Sequence, residues 1–313
     1  MDNKIRLCPE NVLCVENSAR KKDSISINWT FTEYCNYDCS YCFYRASSNK
    51  KGYKFVGLDS LKIAADNICK LTNSRVDIIL TGGEPTMHPD FIPFIEYILD
   101  KNKMNNIKIN IITNMSRNLS FFKELAEILS EYPNRVSINA SLHYEYANID
   151  DFVERVKYTA SCGINTNVLL LAHPLYMEDI KKVYLELKGI VGKFLSVVVK
   201  IVRDRDVIDS RYKDEDINWI REQYGIEKEK KHIKILYVDS PSKAVKHVEI
   251  SPSDMTAYGI NRFINYLCHA GRQEIGIDFC GNIVPAVCFR SSACRWNPFI
   301  NHNIFIYNQE ITY

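Results

Sequence analysis

The sequence predicts an α/β protein, a partial (βα)6 barrel followed by a small C-terminal α+β domain. Short apolar strands alternate with amphipathic helical stretches between about residues 24 and 203. Six such strands can be counted, short of the eight that close a barrel, so an open doubly wound sheet also fits. After a charged stretch the rhythm changes to paired strands around turn residues, which marks a second architecture.

Taken in order, Ile25, Ile27, Trp29 and Phe31 alternate with polar residues and read as the first strand. Leu61, Ala64, Ala65, Ile68 and Leu71 recur at helical spacing, and "VDIIL" (76–80) is the next strand. Phe94, Ile95, Ile98 and Leu99 mark a helix before the strand "IKINIIT" (107–113). Leu125, Ile128 and Leu129 lead to "VSINASL" (136–142), and Phe152, Val153, Val156 and Ala160 lead to "TNVLLLA" (166–172). Met177, Ile180, Val183, Tyr184 and Leu187 precede "KFLSVVVKIV" (193–202). Strand–helix alternation of this kind gives parallel pairing with right-handed crossovers, and the C-terminal strand ends form the functional rim.

The charged run over 203–231 reads as solvated surface, with Arg203 or Arg205 placed to reach an anionic substrate. Beyond it, "HIKILYV" and "AVKHVEI" flank "DSPSK" as a hairpin. A helical stretch around Met255–Leu267 leads to Cys268, and "EIGIDFCGNIVPAVC" reads as a second hairpin turning near Gly281-Asn282. The expected division is an N-terminal extension over 1–24, the barrel over 25–225 and the smaller domain over 226–313.

Of 313 residues, 46% are hydrophobic and 25% charged, with a formal net charge of +2. That balance gives no support for a nucleic-acid or membrane-surface partner. The N-terminus lacks the apolar run of a signal peptide and no stretch approaches 18 apolar residues, so a cytoplasmic location is expected. Eleven cysteines in such a chain point to metal ligands, reactive thiols or buried fillers rather than disulfides. Cys69 and Cys162 fall on helical stretches and read as packing residues.

The densest chemistry lies in "EYCNYDCSYCFYR" (33–45), where Cys35, Cys39 and Cys42 follow the first strand directly. A closed zinc site wants four ligands and a disulfide two. Three thiolates can hold three irons of a [4Fe–4S] cluster and leave the fourth open, the feature that turns a metal group into a reaction site. At the end of the next strand stands "LTGGEPTMHPDF" (80–91). Glycines there let a backbone approach a ligand, and Glu84 can accept a hydrogen bond from an ammonium. Each motif alone has a plainer reading, part of a zinc site for the first and a tight turn starting a helix for the second.

Together, on successive strand ends, the two motifs resemble the radical S-adenosylmethionine (SAM) superfamily. The resemblance implies that Cys35, Cys39 and Cys42 ligate a [4Fe–4S] cluster whose open iron chelates the methionine moiety of SAM. Reductive C–S cleavage would give a 5′-deoxyadenosyl radical that abstracts hydrogen from substrate. It also implies that Tyr41 packs near the adenine and that Gly82, Gly83, Glu84 and Pro85 receive the methionine amino group. Asn114 and Ser141, at the ends of later strands, match positions that contact ribose and methionine carboxylate. Their alternative is a capping or turn role. His143 is a substrate-side candidate, with a structural rim histidine as the alternative.

"CHAGRQEIGIDFCGNIVPAVCFRSSAC" carries Cys268, Cys280, Cys288 and Cys294. It is similar to the opening and turn of the SPASM/Twitch auxiliary-cluster domain appended to many members of that superfamily, but the later cysteines are missing. One auxiliary iron–sulfur cluster is therefore expected, with Cys268, Cys288 and Cys294 as ligands. Cys280 lies at the turn, where a regular strand of about six residues carries it roughly 20 Å from Cys268. It joins the set only if the strands are short or bulged; Cys8 or Cys14 could complete it instead. Zinc at these cysteines, or no metal, are the alternatives.

The expected function is hydrogen abstraction from a small molecule such as a sugar or aminocyclitol, in a dehydrogenation or rearrangement. A flavodoxin or ferredoxin would donate the electron. The small-molecule reading leans on the lack of a leader-binding stretch ahead of the barrel. The runner-up is a maturase acting on a ribosomally made peptide. A non-catalytic zinc or iron–sulfur binding protein is the alternative of another class.

Overall fold

A computed structural model describes residues 11–17, 23–42, 52–204, 207–224, 233–239, 242–250 and 274–284. Their contacts divide the chain into two compact units, one of residues up to Asp23 with Tyr224–Cys268, the other of Ser24–Gln223 with residues from His269 on. The elements run in chain order as β1 (Val12–Asn17), β2 (Ser24–Thr32), α1 (Leu58–Cys69), β3 (Arg75–Gly82) and α2 (Phe91–Lys101). Then come β4 (Ile107–Thr113), α3 (Leu119–Ser130), β5 (Val136–Leu142), α4 (Ile149–Ser161), β6 (Asn165–Ala172), α5 (Met177–Gly189) and β7 (Leu195–Ile201). The short β8 (Arg203–Asp204) and β9 (Val207–Ile208), α6 (Asp214–Tyr224), β10 (Ile233–Val238), β11 (Val245–Ile250), β12 (Glu274–Ile277) and β13 (Ile283–Val284) follow.

All six expected barrel strands are present as β2 to β7, pairing in parallel in sequence order. The register aligns one apolar face across neighbours, for example Ile78 opposite Ile109 and Ile111 opposite Ile138. That face packs on the helices. Trp29 and Phe94 meet edge to face at 5.4 Å, both fully buried. The five expected crossover helices are α1 to α5, and each buries the apolar stripe that the sequence spaced at three and four residues.

Because side chains alternate along a strand, the opposite face carries the other set. It is polar: Ser196 Oγ donates to Asn167 Oδ1 at 2.7 Å, and Asn167 Nδ2 to Asn139 Oδ1 at 3.3 Å. Asn139 Nδ2 donates to Asn110 Oδ1, and Asn110 Nδ2 to Ser137 Oγ, both at 2.8 Å. A ladder of amides and hydroxyls thus crosses β4 to β7.

Two features differ from expectation. The hairpin β12–β13, expected in the separate C-terminal domain, adds β12 in parallel to β2, making a seventh parallel strand. β2 would otherwise present unpaired backbone groups at a sheet edge, and Ile275 and Ile277 fall in register with Ile27 and Trp29. Within the charged run, α6 forms, with Asp214, Glu215 and Asp216 in its first turn where the helix dipole favours acids. Trp219 on α6 packs edge to face on Tyr184 at 5.4 Å.

The other unit is a three-stranded antiparallel sheet in the order β1-β10-β11. The expected hairpin is β10–β11, and β1 from the N-terminal extension completes the sheet over Ile233, Ile235, Tyr237 and Ile250. The helix expected near 255–267 and residues Cys8, Arg205, Cys268, Cys288 and Cys294 lie outside the described residues. No helix among those described is long and apolar enough to cross a membrane.

Candidate active site at the strand ends

Cys35, Cys39 and Cys42 sit in the loop that leaves β2, closed by a backbone bond from Cys42 N to Cys39 O at 3.0 Å. All three are free thiols and partly exposed. Burial pushes the Cys35 thiol up to about 11 and Cys39 to about 12, with neighbouring thiols and carboxylates adding to the effect. The trio is therefore gathered closely enough to interact electrostatically. Yet among the described residues no three His, Cys, Asp or Glu side chains converge on a single ion. Three free thiols on one loop fit an iron–sulfur cluster, whose cations would turn them into thiolates.

The loop is fastened to the ends of β3, β4 and β5 and touches the end of β6. From β3, Gly83 N donates to Thr32 O and Glu84 N to Tyr34 O, both at 2.7 Å. A Cβ on Gly83 would lie 2.1 Å from Tyr34 O, and one on Gly82, whose φ is +119, would lie 2.3 Å from Thr32 O. The two glycines therefore bring strand end and cysteine loop together, backbone against backbone, a role beyond the ligand approach expected of them.

Glu84 is 1% exposed, and its carboxylate is used inside the protein. Oε1 accepts from Thr86 N (3.1 Å), Thr86 Oγ1 (2.6 Å) and Thr113 Oγ1 (2.8 Å), and Oε2 from Asn114 N (2.6 Å). Burial pushes its pKa up while these donors pull it down. The side chain expected to meet an ammonium ties β3 to the end of β4 and caps the short helical turn Pro85–Met87. Pro85, buried, occupies the first position of that turn, where its missing N–H costs nothing.

From β4, Asn114 Nδ2 donates to Asn36 Oδ1 at 3.1 Å and Ser116 Oγ to the same oxygen at 3.2 Å. Asn114 thus holds the cysteine loop. Ser141, near the end of β5, is 8% exposed, and its hydroxyl has no partner among the described residues, which leaves it available to a ligand. Tyr41 stacks on His143 with ring centroids 5.8 Å apart, and Tyr41 Oη lies 3.0 Å from His143 Nδ1. Burial holds the Tyr41 phenol well above its usual range, so it stays protonated beside His143. His143 is held by the loop rather than standing free on the rim. Burial lowers its pKa to about 4 from 6.5.

That depression has a consequence for stability. The folded state binds fewer protons at His143 than the unfolded chain does, so its contribution is fully present above about pH 6.5 and is lost as pH falls towards 4. Urea midpoints across that window should show wild type losing about 2–3 kcal/mol more than His143→Phe. Parallel curves for the two proteins would contradict this.

Several residues that organise the site gave no sequence signal. Ser40 is gripped by Glu145, Tyr146 Oη donates to Asp38 O at 2.9 Å, and Tyr37 stacks on Tyr146 with centroids 5.4 Å apart. His173, after β6, places Nε2 3.5 Å from Glu145. Arg155 on α4 donates to Met115 O at 2.9 Å, supporting a residue held at φ +57 just past Asn114. Only folding shows that the ends of β5 and β6 close over this loop. Of the C-terminal cysteines, Cys280 is described: it is exposed in the β12–β13 turn, where Asp278 Oδ1 accepts from its N–H at 3.0 Å and Gly281 has φ +79.

A parallel α/β sheet with a three-thiol loop clamped at the C-terminal ends of its strands defines an enzyme that works through a cysteine-held cluster. The Radical SAM superfamily model matches residues 29–187, half the chain, and the chain belongs to that superfamily. Membership brings a [4Fe–4S] cluster and SAM as cofactors.

Among curated relatives, a GTP 3′,8-cyclase of Pasteurella multocida is 30% identical over 39% of this chain and 36% of its own length. An S-adenosylmethionine-dependent nucleotide dehydratase of Selenomonas ruminantium is 35% identical over 29% of this chain and 30% of its own. A cysteine-type anaerobic sulfatase-maturating enzyme of Clostridium perfringens is 24% identical over 52% of this chain and 48% of its own. The chain thus spans about a third to a half of the relatives it matches. A solved structure, anSMEcpe with bound AdoMet, superposes with a TM-score of 0.56 at 17% identity, covering 89% of this chain and 79% of that one.

Proposed function

We propose that this chain abstracts hydrogen from a small polar molecule, such as a sugar or aminocyclitol, in a dehydrogenation or rearrangement. The observation that carries this reading is the lining of the sheet's inner face. Asn110, Asn139 and Asn167, with Ser137 and Ser196, spend only part of their hydrogen-bonding capacity on one another. What remains suits hydroxyl and amine groups. The named substrates of the cyclase and the dehydratase relatives, nucleotides that carry a sugar, support the same class.

Bound cluster and SAM would supply one-electron cleavage of a C–S bond and a hydrogen-abstracting carbon radical. Cys35, Cys39 and Cys42 hold three irons. The backbone of Gly82–Pro85 and the free hydroxyl of Ser141 hold the methionine end, with Tyr41 beside the adenine and Asn114 keeping the loop in place. Cys268, Cys288 and Cys294 hold one auxiliary cluster in a SPASM/Twitch-like segment, and a cytoplasmic flavodoxin or ferredoxin donates the electron. The second reading, modification of a ribosomally made peptide, is favoured by relatives named as a sulfatase-maturating enzyme and as a biosynthesis protein of the bacteriocin subtilosin.

Anaerobic reconstitution followed by dithionite, SAM and deuterated candidates tests both. Deuterium carried from a sugar or aminocyclitol into 5′-deoxyadenosine is the expected result; transfer only from a peptide moves the second reading to first. About eight irons per chain supports the auxiliary cluster and about four removes it. Zinc without turnover overturns the proposal.

A further inference from the structure

We infer that Glu145 is a positioning residue for the cysteine loop, clamping the turn between Cys39 and Cys42 and fixing a negative charge beside the cluster those thiols hold. The inference rests on the cluster reading of that loop. Both carboxylate oxygens hold one residue of the turn: Oε2 accepts from Ser40 N at 2.8 Å and Oε1 from Ser40 Oγ at 2.6 Å. Ser40 stands between two of the three thiols, inside the turn that Cys42 N and Cys39 O close. A carboxylate suits this because both groups it meets are donors and it has no hydrogen of its own to misplace.

A buried histidine stands behind the carboxylate. His173 is 1% exposed, and its Nδ1 accepts from Leu175 N at 3.3 Å, so the ring proton sits on Nε2. That nitrogen faces Glu145 Oε1 at 3.5 Å and makes no hydrogen bond among the described residues, so the two meet by proximity. The clamp spans the mouth of the fold. β2, which leads into the turn, is separated from β5 by two strands and from β6 by three. Three or four steps of about 4.8 Å would put a flat sheet's strand ends roughly 15–20 Å apart. Glu145 and His173 reach the loop because the sheet curls. The nearby guanidinium of Arg211 is paired with Asp209 at 2.5 Å and also feels the Glu145 carboxylate, whose charge in turn acts on Cys39. A fixed negative charge at Cys39 opposes adding an electron to the group that Cys39 ligates, and so holds the reduction potential down.

Two substitutions separate clamp from charge. Glu145→Gln keeps the shape and, with Ser40 Oγ turned to accept, the hydrogen bonds, but removes the charge. Glu145→Ala removes both. In reconstituted protein, Glu145→Gln should retain its iron and shift the EPR-monitored midpoint to more positive potential. Glu145→Ala should lose iron to a chelator about tenfold faster. In cluster-free protein the Ser40 amide should exchange hydrogen faster in Glu145→Ala and as in wild type in Glu145→Gln. An unchanged midpoint in Glu145→Gln overturns the charge role; wild-type exchange and iron release in Glu145→Ala overturn the clamp. Should wild type itself assemble no cluster, the cluster reading fails, and the amide exchange still decides the clamp.

Discussion

Replacing Cys39 by alanine should abolish 5′-deoxyadenosine formation and remove the iron of the barrel cluster, about four atoms per chain. The same holds for Cys35 and Cys42. The reason is the count of ligands: three thiols that each hold one iron cannot spare one, and alanine offers iron nothing. The fold should survive. The three cysteines lie outside the apolar core formed by β2 to β7 and their helices, and the loop keeps its bonds to Gly83, Glu84, Asn114 and Glu145. Iron analysis, the product assay and far-UV circular dichroism of the three variants test this together. Turnover retained in any one of them would remove that cysteine from the ligand set.

Glu84→Ala should lower folding stability by about 3–5 kcal/mol, the range seen when one partner of a buried polar or charged network is removed. Four donors, from Thr86, Thr113 and Asn114, would lose their acceptor in a place that water does not reach. Against a typical total of about 5–15 kcal/mol, that leaves a marginal protein. The damage also travels, because Asn114, released from Glu84, carries the bond to Asn36 in the cysteine loop. SAM binding should therefore weaken even where the protein remains folded, while the crossover helices keep their packing. Urea titration with equilibrium dialysis of SAM gives both quantities. A loss under about 1 kcal/mol would mean that Glu84 does not brace β3 against β4.

The alternation of Ile25, Ile27, Trp29 and Phe31, and the helical spacing from Leu61 to Leu187, located six strands and five helices without tertiary information. Local periodicity suffices there because each strand and helix buries one face against the same core, and burial is what the period records. The three-thiol motif and the Gly-Gly-Glu-Pro segment were legible for a related reason: their spacing is local and each follows a strand. What Glu84 and the two glycines do was not. Their partners, Thr32, Tyr34, Thr113 and Asn114, come from neighbouring strand ends that only parallel pairing brings within reach.

The placement of strands outside the barrel was equally hidden. β12 joins the edge of β2, and β1 joins β10 across most of the chain, because those edges had backbone groups left to pair. No short-range pattern encodes which edge stays open. The sequence by itself determined the parallel α/β sheet, the three thiols at its rim and the superfamily to which they belong. The tertiary structure alone decided how the thiols are held: by glycines pressed against the loop, a buried Glu84 bracing two strands, and Glu145 with His173 reaching across the curled sheet. The physical reason is that burial periodicity is written along the chain, whereas hydrogen-bond complementarity between distant loops exists only once the sheet has curled and brought them together.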